Sequence, residues 1–383
     1  MGIRLDGTTD TISAPGSDLN LGQSGDSVKV ASEVQLPTAG ALSSRRININ
    51  GAMQVAQRGT IVNAGNQYGG PDRYRFAKND GAYTISQDTD VPSGSGFARS
   101  FKVDVTSAAS STGNQYVIFQ HKMEGQDLQQ IKKGTSSAES LTLQFWVKST
   151  KTGTYVAELQ HTDNTRHICK TYTVSSSNTW EYKTLTFPGD TSGTLANDNA
   201  SSLQINWWLY AGSTYTSGTF PASWAAFADA NSAVGQVNAA DNTSNNILFT
   251  GIQLEVGEKA TPFEHRSFGD ELAKCQRYYY KHAEGDSKDL GSGTYYSSTL
   301  FAFSARFPVT MRTSPSLDYV SGTDYYRIYR NGATDQFNVM SGVRSNSNSI
   351  AIDTSTGTSG TAGHGGIMAT ANSNAYMAFA AEL

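Results

Sequence analysis

The chain has 383 residues, of which only 16% are charged, and it carries 37 Gly, 19 Tyr and 16 Phe, with Ser and Thr making up more than a fifth. Such a composition favours strands and tight turns and excludes a mostly helical protein. The net charge of −4, from 29 basic and 33 acidic residues that are scattered, excludes the basic face that nucleic-acid binding needs, and no apolar run reaches the ~20 residues of a membrane helix.

Residues 1–47 are small, polar and broken by turns such as Pro15-Gly16 and Gly25-Asp26. Their short strand-like pieces bury too little apolar area to fold alone. This stretch therefore reads as an extended attachment segment ordered against a partner, with Ile12, Leu19, Leu21, Val28 and Val30 as its apolar anchor points. It begins without the apolar core of a secretory signal, which implies synthesis in a reducing cytosol.

Residues 48–268 carry the strongest alternation. Strands are expected over 96–105, 115–120, 141–147, 154–159, 171–174, 180–187, 203–210 and 247–256, with a short helix over Gln126–Lys133 and a hairpin turn at Lys151–Gly153. About eight strands with irregular loops define a jelly-roll β-sandwich. Residues 269–383 begin helix-like, reach the Tyr278–Tyr280 triplet, and continue as strands over 295–303, 305–308, 325–329, 336–340, 349–352 and 375–383. Long Ser/Gly loops are expected over 341–349 and 353–366. The fold class is therefore all-β: a jelly roll followed by a second, smaller β-sandwich. The Tyr278–Tyr280 triplet is expected to span a core and an inter-domain contact.

The chain carries no nucleophile elbow, zinc-protease motif or phosphate-binding loop. Cys169 and Cys275 match no metal or redox spacing and read as two buried thiols, a disulfide between them being the alternative. His161 and His167 flank a hairpin loop at a spacing that suits no known ligand pair. Asp88, Asp90 and Asp104 offer oxygen atoms of the kind calcium takes, without the density of a calcium loop. No cofactor or metal is expected. Glycoside hydrolysis needs two carboxylates across a cleft, and Glu158, Glu181 and Glu255 lie on strands whose relative placement sequence alone does not give.

The aromatic cluster between Trp207 and Trp224 is the most informative feature. Adjacent strand residues point to opposite faces, so one of Trp207 and Trp208 belongs to the core and the other is exposed or covered by the loop that follows. Aromatic faces suit the apolar faces of sugar rings. Trp207, Trp208, Tyr210, Tyr215 and Trp224 are thus the expected glycan-contact residues, the alternative being a loop packed down by its own aromatics.

Several phrases resemble the tail-fibre and receptor-binding virion proteins of tailed bacteriophages, especially those of marine bacteria. They are Asn50–Gly59, Leu143–Ser149, Trp180–Gly189, Gly251–Gly257 with Ala260–Ser267, Cys275–Tyr280, Phe307–Pro315 and Ala381–Leu383. The resemblance implies a carbohydrate-binding-like jelly roll, a homotrimer on the virion, contact with other virion proteins through the N-terminal segment, and a host surface glycan as ligand. It carries over no catalytic residue. The expected function is non-enzymatic, multivalent attachment to host glycan. The alternatives are a purely structural head or tail decoration and a polysaccharide depolymerase.

Overall fold

The computed structural model describes residues 44–109 and 113–383. The expected attachment residues Ile12, Leu19, Leu21, Val28 and Val30 lie outside the described residues. The first sandwich comprises β1 (Gln67–Tyr68), β2 (Tyr74–Lys78), β3 (Ala82–Asp88), β4 (Ser100–Ser107), β5 (Tyr116–Glu124), β6 (Leu141–Ser149), β7 (Gly153–His161), β8 (Arg166–Val174), β9 (Glu181–Phe187), β10 (Ser201–Ala211), β11 (Ala225–Ala226) and β12 (Asn246–Val256). They form a seven-stranded sheet, β1-β2-β5-β10-β7-β8-β11, facing a five-stranded sheet, β3-β4-β12-β6-β9. From β4 to β7, and again from β8 to β10, the chain crosses to the other sheet at each step, as in a jelly roll.

Period-two alternation explains the core. Val117 and Phe119 of β5, Tyr155 and Leu159 of β7, and Ile205 and Trp207 of β10 all point inward. They meet Phe101, Phe145 and Phe249 of the other sheet. Phe119 stacks on Phe249 with ring centres 4.9 Å apart, and Phe145 meets Trp207 edge-on at 5.9 Å. Gly251 makes the bulge in β12, with φ +61. A Cβ there would lie 2.6 Å from the Phe97 ring, so no other residue fits without moving it.

Two local expectations are corrected. The Lys151–Gly153 turn does not close a hairpin. Both edges of β6 are already taken, by β12 and β9, so the chain crosses to the facing sheet and β7 pairs with β8 and β10. The expected helix at Gln126–Lys133 is two 3₁₀ turns, Gly125–Asp127 and Gln129–Ile131. They end at Lys132, whose positive φ halts further winding.

A short helix α1 (Ser213–Thr216) lies in the loop after β10, and α2 (Phe268–Gln276) leads out of the first sandwich. Ser267 caps α2 by accepting the Asp270 N–H at 3.1 Å. The second sandwich contains β13 (Tyr279–Glu284), β14 (Asp289–Tyr295), β15 (Phe301–Arg306), β16 (Ser316–Tyr319), β17 (Tyr326–Arg330), β18 (Ala333–Phe337), β19 (Ser341–Asn346), β20 (Ser349–Thr354), β21 (Gly365–Thr370) and β22 (Tyr376–Ala380). Its sheets are β13-β22-β16 and β18-β17-β21-β14-β15-β20-β19, closed over Phe301, Tyr326, Ile328, Met368 and Phe379. The strand expected over 295–303 is instead the β14–β15 hairpin, turned where the Tyr296 N–H meets the Leu300 carbonyl. Parts of the expected Ser/Gly loops form β19 and β21. In β21 the bare Gly366 lets the backbone approach the core, since a Cβ there would sit 3.0 Å from Ile328 and Phe301.

The two sandwiches, with α2 between them, meet in a polar seam to which several of the phrases that carry the viral resemblance contribute residues. Arg46 pairs with Glu271, both buried. Glu264 accepts the backbone N–H groups of Ser44 and Arg46, and Gln57 donates to the Tyr279 carbonyl at 2.6 Å. Arg277 grips Glu124 with two hydrogen bonds, of 2.8 and 2.7 Å. Burial opposes ionisation of Glu124, but the bonds from Arg277 and Tyr278 outweigh it and hold the carboxyl below its ordinary range. Arg73 lies 3.4 Å above the Tyr278 ring and pairs with Glu382. Arg312 holds the Ala381 and Glu382 carbonyls, each at 2.7 Å. Tyr278 thus faces the seam, whereas Tyr280 stacks on Phe379 of the second core. The triplet spans the second core and the contact between the two sandwiches.

Candidate functional site: a polar cleft on the seven-stranded sheet

On the side of the seven-stranded sheet away from the core, alternate residues of β2, β5, β10 and β7 form a continuous polar row. Arg75 opposes Gln120, Gln120 opposes Asn206, and Asn206 opposes Glu158. Each is hydrogen-bonded to the next. Arg75 donates to Gln120 Oε1 at 2.6 Å, Gln120 Nε2 to Asn206 Oδ1 at 2.8 Å, and Asn206 Nδ2 to Glu158 Oε2 at 2.9 Å. A second row places Gln204 against Gln160, again hydrogen-bonded. Paired amides hold one another's orientation, so the floor presents fixed donors and acceptors.

The segment between β10 and β12 folds back over the β8 side of this face and forms a wall. Ala225 and Ala226 pair with His167 and Arg166, the Cys169 N–H donates to the Pro221 carbonyl, and Phe227 packs edge-on against His167 at 5.0 Å. Tyr215 covers Trp208 at 5.1 Å and meets Tyr116 edge-on at 5.8 Å. The result is a cleft of ≈ 230 Å³, floored by the amide rows and walled by Tyr116, Tyr215, Phe227, Asp229 and Ser232.

Glu158 anchors the inner end. It accepts from Asn206, from Trp208 Nε1 at 3.2 Å, and lies 2.7 Å from His167 Nδ1. Cys169 lies close enough to complete a Glu158–His167–Cys169 cluster of metal-ligating atoms. These groups are engaged with their neighbours: both Glu158 oxygens are occupied, and the thiol faces the Ser232 carbonyl at 3.4 Å. Burial pushes the Cys169 thiol up, away from the thiolate a metal would take. His167 Nε2 is buried without a hydrogen-bond partner among the described residues. Cys169 and Cys275 are both free and buried.

The five expected glycan-contact residues separate. Trp207 is wholly buried between the sheets, and a bulge between Trp208 and Tyr210 turns Tyr210 into the same core. Neither reaches the cleft. Trp208 lies on the cleft side but beneath Tyr215, 3% exposed. Tyr215 stands on the wall. Trp224 is elsewhere, packed against His161 at 4.8 Å and donating to the Pro188 carbonyl at 2.6 Å. Burial, followed by the nearby Lys133 charge, pushes His161 down to about 3, so His161 is neutral beneath Trp224.

The floor residues Arg75, Gln120, Glu158, Gln160, Gln204 and Asn206 were not singled out as a group from the sequence. The available signal was Gln204 and Asn206 alternating with Leu203, Ile205 and Trp207 in one strand. The carboxylates considered for hydrolysis do not converge. Glu158 faces the cleft, while Glu255 belongs to the other sheet and accepts from Thr261 at 2.9 and 2.6 Å. Glu181 caps the Ser175 and Ser176 N–H groups. The aspartates weighed as calcium ligands are held by lysines. Lys102 meets Asp88 and Asp104 at 3.7 and 3.2 Å, and Lys148 meets Asp90 at 2.6 Å.

No known family profile matches the chain, and no curated protein does. Among solved structures it is similar to the enzymatically active domain of tailspike protein 4 of bacteriophage CBA120, at 15% identity and a TM-score of 0.30, over 51% of this chain and 22% of that one. The chain thus spans about a fifth of that tailspike. A family 4 carbohydrate-binding module aligns at 12% identity and a TM-score of 0.28, over 54% of this chain and 98% of the module. The family 11 carbohydrate-binding module of the Clostridium thermocellum cellulosomal cellulase Lic26A-Cel5E aligns at 16% identity and a TM-score of 0.25, over 53% and 97%. At these TM-scores the likenesses carry no weight for what this chain binds.

Proposed function

We propose that this chain binds glycan in the cleft of its jelly roll, without cutting it, as a host-attachment appendage of a virion. The observation that carries the reading is the hydrogen-bonded row Arg75–Gln120–Asn206–Glu158 beside the edge-on pair of rings Tyr116 and Tyr215. Fixed amides and charged groups match the hydroxyls of a sugar, and flanking rings match its apolar faces. A site of this size gives modest affinity, which several copies on one particle would multiply; a trimer supplies such copies. The test is binding of the fluorescently labelled chain to host cells, with host polysaccharide as competitor, for the parent and for Asn206→Leu and Tyr215→Ala. Saturable binding that the polysaccharide displaces, and that both folded variants lose, supports the reading. Binding unchanged in both variants overturns it.

A depolymerase reading draws on one observation: Glu158 and Asp229 line the same cleft. It requires reducing ends to appear when host polysaccharide is incubated with the chain, and their loss in Asp229→Asn.

A further inference from the structure

The cleft is electrically lopsided. Glu158, at the walled end, is occupied by three neighbours. At the other end Arg75 donates only to the neutral Gln120, and among the described residues it has no carboxylate partner. Lys122 lies two residues beyond Gln120 on the same face of β5, opposite Gln204. Its ammonium makes no hydrogen bond or ion pair among the described residues. Diagonal neighbours on adjacent strands lie about 7–8 Å apart, so Arg75 and Lys122 flank one spot at the mouth of the cleft. Burial lowers the pKa of Lys122, and Arg75 and Arg73 lower it further, with no acid opposing them. The nearest acid along that face, Glu124, is taken up by Arg277 and Tyr278. Two half-buried cations without a counter-charge repel one another, and an anion placed between them relieves that cost.

We infer that the ligand of this cleft is an acidic saccharide whose anionic substituent, a carboxylate, sulfate or phosphate, sits between Arg75 and Lys122 while its neutral hydroxyls meet the amide rows. This rests on the glycan-binding reading above and narrows it.

The experiment is calorimetric titration of the full chain with oligogalacturonate and alginate oligomers, each beside its carboxyl-reduced neutral counterpart, and with dextran sulfate beside dextran. The same series is run for Arg75→Gln and Lys122→Gln, with far-UV circular dichroism to verify folding. At low salt the acidic member of at least one pair binds about tenfold more tightly than its neutral counterpart, and the preference shrinks as salt screens it. Both variants bring the pair to near parity. The uronate and sulfate arms identify which anion is preferred. Equal binding of acid and neutral counterpart, or a preference that survives in both variants, overturns the anion inference and leaves glycan binding standing. Binding of no saccharide, acidic or neutral, overturns both.

Discussion

Removing Glu382 should uncouple the two sandwiches. Its carboxylate pairs with Arg73, whose side chain is 1% exposed, and with Arg58 at 2.9 Å. In Glu382→Ala, Arg73 keeps one acceptor, the Lys122 carbonyl at 2.8 Å, and the face of Tyr278 at 3.4 Å. Its Nε already lacks a partner among the described residues. Breaking a buried pair from one side costs about 3–5 kcal/mol, because the remaining charge stays desolvated. The assay exploits the distribution of tryptophan: all five, Trp146, Trp180, Trp207, Trp208 and Trp224, lie in the first sandwich. Their fluorescence follows that sandwich alone, whereas far-UV circular dichroism follows both. In the parent the two urea transitions coincide; in Glu382→Ala the dichroism transition shifts to lower urea and separates from the fluorescence. Replacing both charges, Arg73→Leu with Glu382→Ala, recovers part of the loss, since the most deeply buried unpaired charge is gone and only the more exposed Arg58 is left without its carboxylate. A loss below about 1 kcal/mol in the single variant, or a double variant worse than the single, would refute the reasoning.

Other expectations follow from the same geometry. Asp335 is held to about 2: burial opposes its ionisation, but Arg330, Ser359 N–H and Tyr295 hydroxyl bonds prevail. With the folded value below the unfolded one, this acid contributes about 2 kcal/mol above pH 4 that is lost as pH falls through 2. Asp335→Asn should cost about that much at pH 7 and almost nothing near pH 2, measured by urea unfolding. Trp207→Ala should cost about 3–5 kcal/mol, because it empties a fully buried site. A loss under about 1 kcal/mol would mean that the ring is not packed between Phe119, Phe145 and Phe249. Cys169 and Cys275 should be silent to a thiol reagent in the native chain at pH 7 and both react in urea; fast native labelling would contradict their burial.

Much of the first sandwich was legible because its strands alternate strongly. Leu141–Val147 and Ile247–Val256 each lie within an observed strand, and Trp180–Phe187 begins one residue before its own, since one face of each meets an apolar core. What escaped is explained by context. β3 carries polar residues on its outer face, and β19 and β21 are rich in Gly and Ser, so their pairing depends on neighbours far along the chain. The cleft was half legible for a similar reason. Adjacent tryptophans announced that one must turn away from the core, and Trp208 does, beneath the following loop. The bulge that sends Tyr210 inward has no sequence mark. The floor is assembled from four strands spread between residues 75 and 206, a grouping that only the sheet order creates.

The wall of the cleft has an entropic consequence. Its residues are tied down before any ligand arrives, by the Ala225–Ala226 pairing to β8 and by Gly218, Phe227 and Ala233 N–H bonds to the Ala230, Thr165 and Tyr215 carbonyls. Fixing a residue's backbone costs about 1–2 kcal/mol, so ordering even ten of them on binding would demand some 10–20 kcal/mol. Millimolar to micromolar affinity corresponds to only about 4–8 kcal/mol. A weak ligand therefore has nothing to spare for building its own wall, and the folding of the sandwich has to supply that order in advance.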